Sequence, residues 1–203
     1  MEFKQLTSSD AQAFSNLIVN MYSHLENLEW FTPMPYDIEN VAGMIENPRF
    51  YILGAFEENE LVGVSSLDYK CGKLIGKIEF PANCNTNKLV EIGFNLVDFN
   101  HRGKKIMQQL IDVLLEKIKN DGFQWVFAKV HTNNLASSKS CFNKGFEVWR
   151  DYQKNVNKDE FKFLAEKDFF CPVGKENAKK TLEKFKNSDE ITVSYKILIK
   201  KLY

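Results

Sequence analysis

The sequence lacks the features that would place it in several functional classes. Its four cysteines form no CxxC pair and its three histidines are scattered, so no zinc-binding module is predicted. No apolar run reaches the length of a signal peptide core or a membrane span. Lys plus Arg and Asp plus Glu number 27 each, so no net charge favours nucleic acid or an anionic membrane. We therefore predict a cytoplasmic protein with free thiols and no metal, binding neither nucleic acid nor a membrane.

The composition is that of a globular protein with a substantial core. Hydrophobic residues make up 44% of the 203 residues, which suits one domain. No repeat and no long linker divides the chain. We predict a single domain over residues 1–203, with a charged helical insertion at about 157–190 before the last strand.

Hydrophobic periodicity predicts alternating strands and helices. Strands are predicted at 3–6, in the hairpin FYILGAFE and LVGVSSLD, at 74–80, at 89–98, at 124–130, from FEVWRDYQ onward and at 191–202. Helices are predicted behind residues 7–10, after Asp37, and at 103–121, 134–144 and 175–186. The β-α-β-α-β run over 89–152 indicates an α/β fold, a mixed sheet covered by helices.

The strand at 89–98 carries a carboxylate at an unexpected place. Strict alternation would put Val90, Ile92, Phe94 and Leu96 on one face and Glu91, Gly93 and Asn95 on the other. One interpretation is an exposed edge strand. The other is a cleft in which Glu91, with a pKa raised by desolvation, acts as a general base while Gly93 leaves room for a ligand. The residues alone leave both open.

The turn after this strand is rich in cations and leads into an amphipathic helix. Residues 100–107 read Asn-His-Arg-Gly-Lys-Lys-Ile-Met. A tight turn into a helix N-terminus presents unpaired N–H groups and a positive dipole end, both of which favour a phosphate. The alternative is a solvated, lysine-rich first turn.

At these two places the chain resembles the GNAT superfamily of acetyl-CoA-dependent N-acetyltransferases. Residues 102–107 occupy the slot of that family's acetyl-CoA signature, and Glu91 stands eleven residues before Arg102, where some members carry a general base. The resemblance covers about residues 3–152 and the terminal strand. It implies a mixed, mostly antiparallel sheet of about seven strands flanked by helices. It also implies acetyl transfer from acetyl-CoA to a primary amine by direct attack.

The resemblance also assigns roles to individual residues. Glu91 would be the general base, and the main chain near Leu96 and Val97 would bind the pantetheine arm. The pyrophosphate would be held by Arg102, Gly103, Lys104, Lys105, Ile106 and Met107. Residues 134–146, which read Asn-Leu-Ala-Ser-Ser-Lys-Ser-Cys-Phe-Asn-Lys-Gly-Phe, resemble a second motif of the family, and this resemblance implies that Asn134 lies near the pantetheine. An N-cap of the following helix is the plainer role for Asn134, and the two roles are compatible.

The sequence departs from the family pattern in two respects. Lys105 and Met107 replace glycine-type residues of the signature. One interpretation is that their side chains crowd the cofactor or change its path; the other is that helical geometry points the Cβ atoms away and lets Lys105 reach a phosphate as a point charge. Cys141 stands where many members have a tyrosine that protonates the departing thiolate. Cys141 is therefore a candidate general acid. The alternative is a small buried cysteine that packs the helix, with Tyr152, Tyr195, water or no acid at all serving the thiolate, which is a tolerable leaving group.

The same resemblance implies that the loop between the first two helices forms one wall of the acceptor site. That assigns acceptor binding to Trp30, Phe31 and Tyr36, near Met34 and the acidic Glu26, Glu29 and Glu39, which would suit a cationic amine. Ordinary core packing of these aromatics is the alternative. Small-molecule and peptide or protein amines both remain open, and residues 157–190 would cover this site or form a homodimer interface.

A different class of function also fits the departures from the signature. A domain that binds acyl-CoA without turnover, as a sensor or interaction module, would tolerate a changed phosphate loop and a missing tyrosine. Glu91 argues against that class, because a binding module has no need of a base.

Overall fold

Seven strands form one sheet in the computed structural model, which describes residues 1–25, 27–31, 34–71, 74–159, 161 and 172–203. The strands are β1 (Glu2–Gln5), β2 (Phe50–Glu57), β3 (Glu60–Asp68), β4 (Leu89–Val97), β5 (Trp125–His131), β6 (Glu147–Asn157) and β7 (Glu190–Lys201). Their order is β1-β2-β3-β4-β5-β7-β6, and only β4 and β5 run parallel. The predicted mixed, mostly antiparallel sheet is confirmed.

Helices cover both faces of this sheet. They are α1 (Ala11–His24), α2 (Ile38–Glu46), α3 (Ile106–Asn120), α4 (Leu135–Phe142) and α5 (Pro172–Glu183). One face packs against α1, α2 and α5, and the other against α3 and α4. The apolar residues predicted to line the inner side of α3 are buried there, among them Leu110, Leu114 and Ile118. No described helix is long and apolar enough to cross a membrane.

Local signals in the sequence place several helix ends correctly. The Asp37 carboxylate accepts a hydrogen bond from the Asn40 N–H at 3.0 Å, which caps the start of α2. Gly122, with φ 78°, ends α3, and the Phe123 N–H returns to the Ile118 carbonyl at 3.1 Å. These caps depend on neighbouring residues only, so sequence alone predicts them.

Three of the predicted elements differ from the structure. The helix expected at 175–186 lies three residues earlier, at Pro172–Glu183. The helix expected over 103–121 begins three residues later, at Ile106, because Gly103 (φ 82°) and Lys105 (φ 61°) take the left-handed conformation, which cannot continue a helix. The strand expected at 74–80 is wrong, since these residues contain only an isolated bridge between Ile75 and Ile78. Part of the charged segment 157–190, including Cys171, lies outside the described residues.

Candidate active site

The parallel strands β4 and β5 separate halfway along their length. They pair only where residues 89–91 face residues 125–127, with Glu91 opposite Phe127. β4 continues beside β3 as far as Val97, so its β5-facing edge beyond Glu91 has no strand partner. Backbone groups on such an edge need other hydrogen-bond partners. The gap can therefore accept an extended ligand.

A bulge in β4 reverses the faces of the strand within this gap. The β3–β4 register shifts between Val64 and Ser66, and Phe94 takes the left-handed conformation with φ 46°. Ile92 packs with α3 and α4, as does Val90, whereas Phe94 packs with α1 and α2, as does Leu96. The predicted common face for these four residues is therefore wrong, because strict alternation takes no account of a bulge.

A cavity of about 150 Å³ occupies the gap between the two strands. Its lining comes from β2, β3, β4, β5 and β7, the start of α4 and the segment after α1. The lining includes Trp30, Phe31, Met34, Phe50, Ser66, Asp68, residues 91–95, residues 129–131, Asn134, Ser137 and Tyr195. Four of the predicted site residues, Glu91, Asn134, Trp30 and Phe31, thus meet in one cavity.

Glu91 has the electrostatic properties of a general base. Burial raises the pKa of its carboxyl group to about 7, and the negative charge of Asp68 adds to this rise, while Lys129 and Arg49 oppose it. Asp68 lies directly opposite Glu91 on β3 and accepts two hydrogen bonds from the Arg49 guanidinium, at 2.8 and 2.5 Å. A carboxyl group with a pKa near neutrality both accepts and releases protons readily.

His131 ends β5 and lines the same cavity as Gly93, Phe94 and Asn95 of the β4 bulge. The His131 ring lies between Trp30 (centroids 6.0 Å apart) and Tyr195 (5.7 Å). Its Nδ1 accepts a hydrogen bond from the Asn133 N–H at 3.1 Å, so the neutral ring carries its proton on Nε2. Burial lowers its pKa, which favours this neutral form.

Asn134 also caps α4, as its plainer interpretation predicts. Its side-chain oxygen accepts a hydrogen bond from the Ser137 N–H at 3.1 Å. Both residues line the cavity. Capping therefore holds Asn134 at the edge of the gap, and its contact with pantetheine stays a prediction.

Three of the residues expected near the acceptor or the chemistry lie elsewhere. Cys141 is buried in the core beneath α3 and α4, and burial raises the pKa of its thiol to about 12, which favours a packing role over proton donation. Tyr36 lies along the groove between α1 and α2, where its carbonyl accepts a hydrogen bond from Ser15. Glu39 is exposed on α2, and Glu26 lies outside the described residues. Roles for Cys141 in catalysis and Tyr36 in acceptor binding stay predictions.

The turn before α3 presents a row of backbone donors. Among the described residues, none of the N–H groups of 103–107 donates to a backbone carbonyl. The Ile106 side chain is buried in the core, and Met107 packs partly against it, so both point away from the exposed residues 102–105. The N-terminal end of α3 therefore keeps its anion-binding capacity even though Met107 replaces a glycine-type residue.

The three cations of this turn differ in their partners. Lys104 pairs with Glu57 at 2.9 Å, whereas Arg102 lies over the Phe99 ring, its Cζ 5.1 Å from the centroid. Arg102 and Lys105 form no ion pair with a described residue. Lys105 is not helical, contrary to prediction: it takes the left-handed conformation at the signature position where glycine is usual. Two cations are thus available to a phosphate group.

Sequence reasoning missed several cavity residues as parts of one site. Lys129 had a visible signal, as the one charged residue in the apolar run of β5. Asp68 had none, because only the β3–β4 register brings it beside Glu91. His131 appeared isolated in the sequence, and Tyr195 was considered only as an alternative acid.

Comparison with known proteins agrees with this geometry. Residues 13–146 match the model of the acetyltransferase (GNAT) family. An uncharacterized N-acetyltransferase of Bacillus subtilis (strain 168), YoaA, is 30% identical over 156 residues, which is 73% of this chain and 82% of YoaA.

Solved structures share the fold at low sequence identity. A ribosomal-protein-alanine N-acetyltransferase from Brucella melitensis has a TM-score of 0.64 at 18% identity, over 100% of both chains. The PaiA N-acetyltransferase from Thermoplasma acidophilum, in complex with coenzyme A, has a TM-score of 0.58 at 16% identity, over 99% of this chain and 98% of PaiA. From the match to the family model over most of its length, we conclude that this chain belongs to the acetyltransferase (GNAT) family.

Proposed function

We propose that the protein transfers an acetyl group from acetyl-CoA to a primary amine by direct attack. The observation that carries the proposal is the separation of β4 from β5 directly beside Glu91, whose pKa is raised to about 7. Membership of the family supports acetyl-CoA as the donor, and PaiA, a structural relative, contains coenzyme A. The free N–H groups of 103–107, with Arg102 and Lys105, suit the pyrophosphate, and the main chain at Leu96 and Val97 suits the pantetheine arm.

The residues of the cavity divide the chemistry between them. Acetyl-CoA supplies an acetyl group activated as a thioester. Glu91, directly or through water, takes the proton that the acceptor ammonium must lose before its nitrogen can attack. A backbone N–H near Val97 donates to the oxyanion that develops on the carbonyl oxygen. The nitrogen forms the C–N bond first, and collapse of the resulting tetrahedral adduct breaks the C–S bond. The nitrogen then loses its surplus proton to water, and Tyr195 or water supplies one proton to the departing thiolate, which leaves the amide and CoA.

The first test is thermal unfolding with acetyl-CoA, CoA and ADP. A ligand at about a hundred times its Kd should stabilise the fold by roughly 2.7 kcal/mol, which raises the Tm by a few degrees for a chain of this size. We expect both CoA compounds to raise the Tm and ADP to have little effect. A panel of primary amines is then screened for release of CoA.

Two outcomes would contradict the proposal. No shift with any of the three compounds would mean that the phosphate turn is closed. A shift without CoA release from any amine would instead identify a domain that binds acyl-CoA without turnover.

Lys105→Gly is expected to affect stability and cofactor binding in opposite directions. The left-handed conformation costs a non-glycine residue about 1 kcal/mol, so the variant should unfold at a higher temperature. Removing a cation beside the phosphate should weaken acetyl-CoA binding about three- to tenfold and flatten its salt dependence. Titration calorimetry at two salt concentrations measures this. Tighter binding would instead mean that the lysine obstructs the phosphates.

A further inference from the structure

Helix α5 lies directly behind the segment that carries Trp30 and Phe31. It packs against α1 and against the short 3-10 turn at Leu28–Trp30. Its residue Ala178 is buried in the same core as α1 and α2, as is Phe185 just after the helix. The described part of the charged segment 157–190 is therefore integrated into the fold next to the cavity.

Glu29 connects this helix to the cavity wall. The residue is 7% exposed, and its carboxylate forms an ion pair with Lys184 and accepts a hydrogen bond from the hydroxyl of the buried Thr181 at 3.4 Å. A buried carboxylate is stable only with such partners. The Glu29 carbonyl lies 3.5 Å from the hydroxyl of Tyr195, a cavity residue. The side chain of Glu29 is thus held by Thr181 of α5 and by Lys184. Its backbone carbonyl lies next to the cavity.

Gly174 allows α5 to approach α1 closely. A Cβ atom at this position would lie 2.8 Å from the Cα and 3.0 Å from the carbonyl oxygen of Ser23. Glycine is unfavourable inside a helix, so its presence here is explained by this backbone contact. Gly174 and Lys184 hold α5 in place by two independent means, one steric and one ionic.

These contacts change the role of Glu29 in the site. The sequence suggested that Glu29 offers negative charge to a cationic acceptor. Its carboxylate instead faces Lys184 and Thr181, while the neighbouring Trp30 stacks on His131 inside the cavity. Trp30 follows Glu29 directly in the chain, so the anchor of Glu29 lies one residue from the ring that stacks on His131.

We propose that α5 supports the acceptor wall, and that Glu29, Thr181, Lys184 and Gly174 are positioning residues that set acceptor affinity without contacting the acceptor. The proposal rests on the proposed function for the identity of the site and deepens it, because it assigns part of the acceptor specificity to the charged segment before β7. Acetyl-CoA, which is expected to bind along β4 and at the start of α3, should be unaffected by α5.

The test compares Gly174→Ala in α5 and Lys184→Met, one residue after α5, with two controls in α5. Lys180→Met removes an exposed lysine that pairs only with Glu176 among the described residues, and Lys179→Ala introduces alanine at an exposed position. Hydrogen exchange of residues 27–31, followed by mass spectrometry in the full chain, should be at least about tenfold faster in both test variants and unchanged in both controls. This measurement needs no substrate, so it is independent of the proposed activity.

Kinetics with the most active amine of the panel then tests the effect on the site. We expect the test variants to raise the KM for the amine about tenfold while the Kd of acetyl-CoA changes less than twofold. Lys184→Arg, which keeps the charge, should restore the wild-type KM. Unchanged hydrogen exchange in both test variants would overturn the proposal. So would faster exchange with an unchanged amine KM, or an equal loss of acetyl-CoA affinity.

Discussion

Glu91→Gln is expected to lower kcat at pH 8 by about a hundredfold or more, because general-base catalysis typically contributes a factor of that size. Glutamine keeps the shape of the side chain but cannot accept the proton from the acceptor. In the unmodified protein, kcat should rise with pH through about 7, as the Glu91 carboxyl loses its proton. The variant should lack this step.

The same substitution is expected to stabilise the fold at high pH. The pKa of Glu91 is raised from 4.5 to about 7, so this group favours the folded state fully below pH 4.5, and that contribution is lost as the pH rises through 7. At pH 8 glutamine avoids the buried charge, which is worth up to about 3 kcal/mol. At pH 4 the carboxyl is protonated in both states, so the Tm of variant and parent should agree.

The combination of lower activity and higher stability distinguishes a catalytic carboxylate from a structural one. Thermal unfolding at pH 4 and pH 8 and kcat between pH 6 and 9 provide the two measurements. Glu39→Gln, at an exposed position on α2, is the matched control and should change neither. An unchanged kcat at pH 7 in Glu91→Gln would place the base elsewhere.

The fold was predictable where the signal is local. Helical periodicity in α1 and α3, caps such as Asp37 and Gly122, and alternation in the hairpin strands depend on residues close together in the chain. The bulge at Phe94 was not predictable in this way. Gly93 beside it is a local hint, because an isolated glycine inside a strand often marks a bulge, but the register shift itself depends on how β4 pairs with β3 thirty residues earlier.

The residues of the candidate site also divide into those with a local signal in the sequence and those without one. The carboxylate of Glu91 in an apolar strand and the RGKK turn are visible in the sequence. The left-handed conformation of Lys105 is not, because lysine has no preference for it. The pairing register of the sheet places Asp68 and His131 in the cavity wall. Contacts between residues about 150 positions apart, such as Glu29 and Thr181, place α5 next to it.

Gly93→Val is expected to abolish most activity while leaving the fold intact. A Cβ at residue 93 would have only the Ser66 hydroxyl oxygen within 4 Å, at 3.7 Å, so the backbone tolerates a side chain. The residue lines the cavity beside Glu91, so the added methyl groups would fill the space between the separated strands. Valine also favours strands. The Tm should stay the same or rise, while kcat/KM for the amine should fall about a hundredfold or more.

Gly54→Ala on β2 is the control, with the reverse expectation. A Cβ at residue 54 would lie 2.5 Å from Cδ2 of Leu6, 2.8 Å from Cε2 of Phe56 and 2.9 Å from Cδ1 of Leu61, in the core and away from the cavity. Overpacking of this kind typically costs 1–3 kcal/mol, about enough to lower the Tm by several degrees. The folded fraction should keep nearly normal kcat/KM. If Gly93→Val is as active as the parent, neither the acceptor nor the acetyl group passes through the gap between β4 and β5, and the site must lie elsewhere on the sheet.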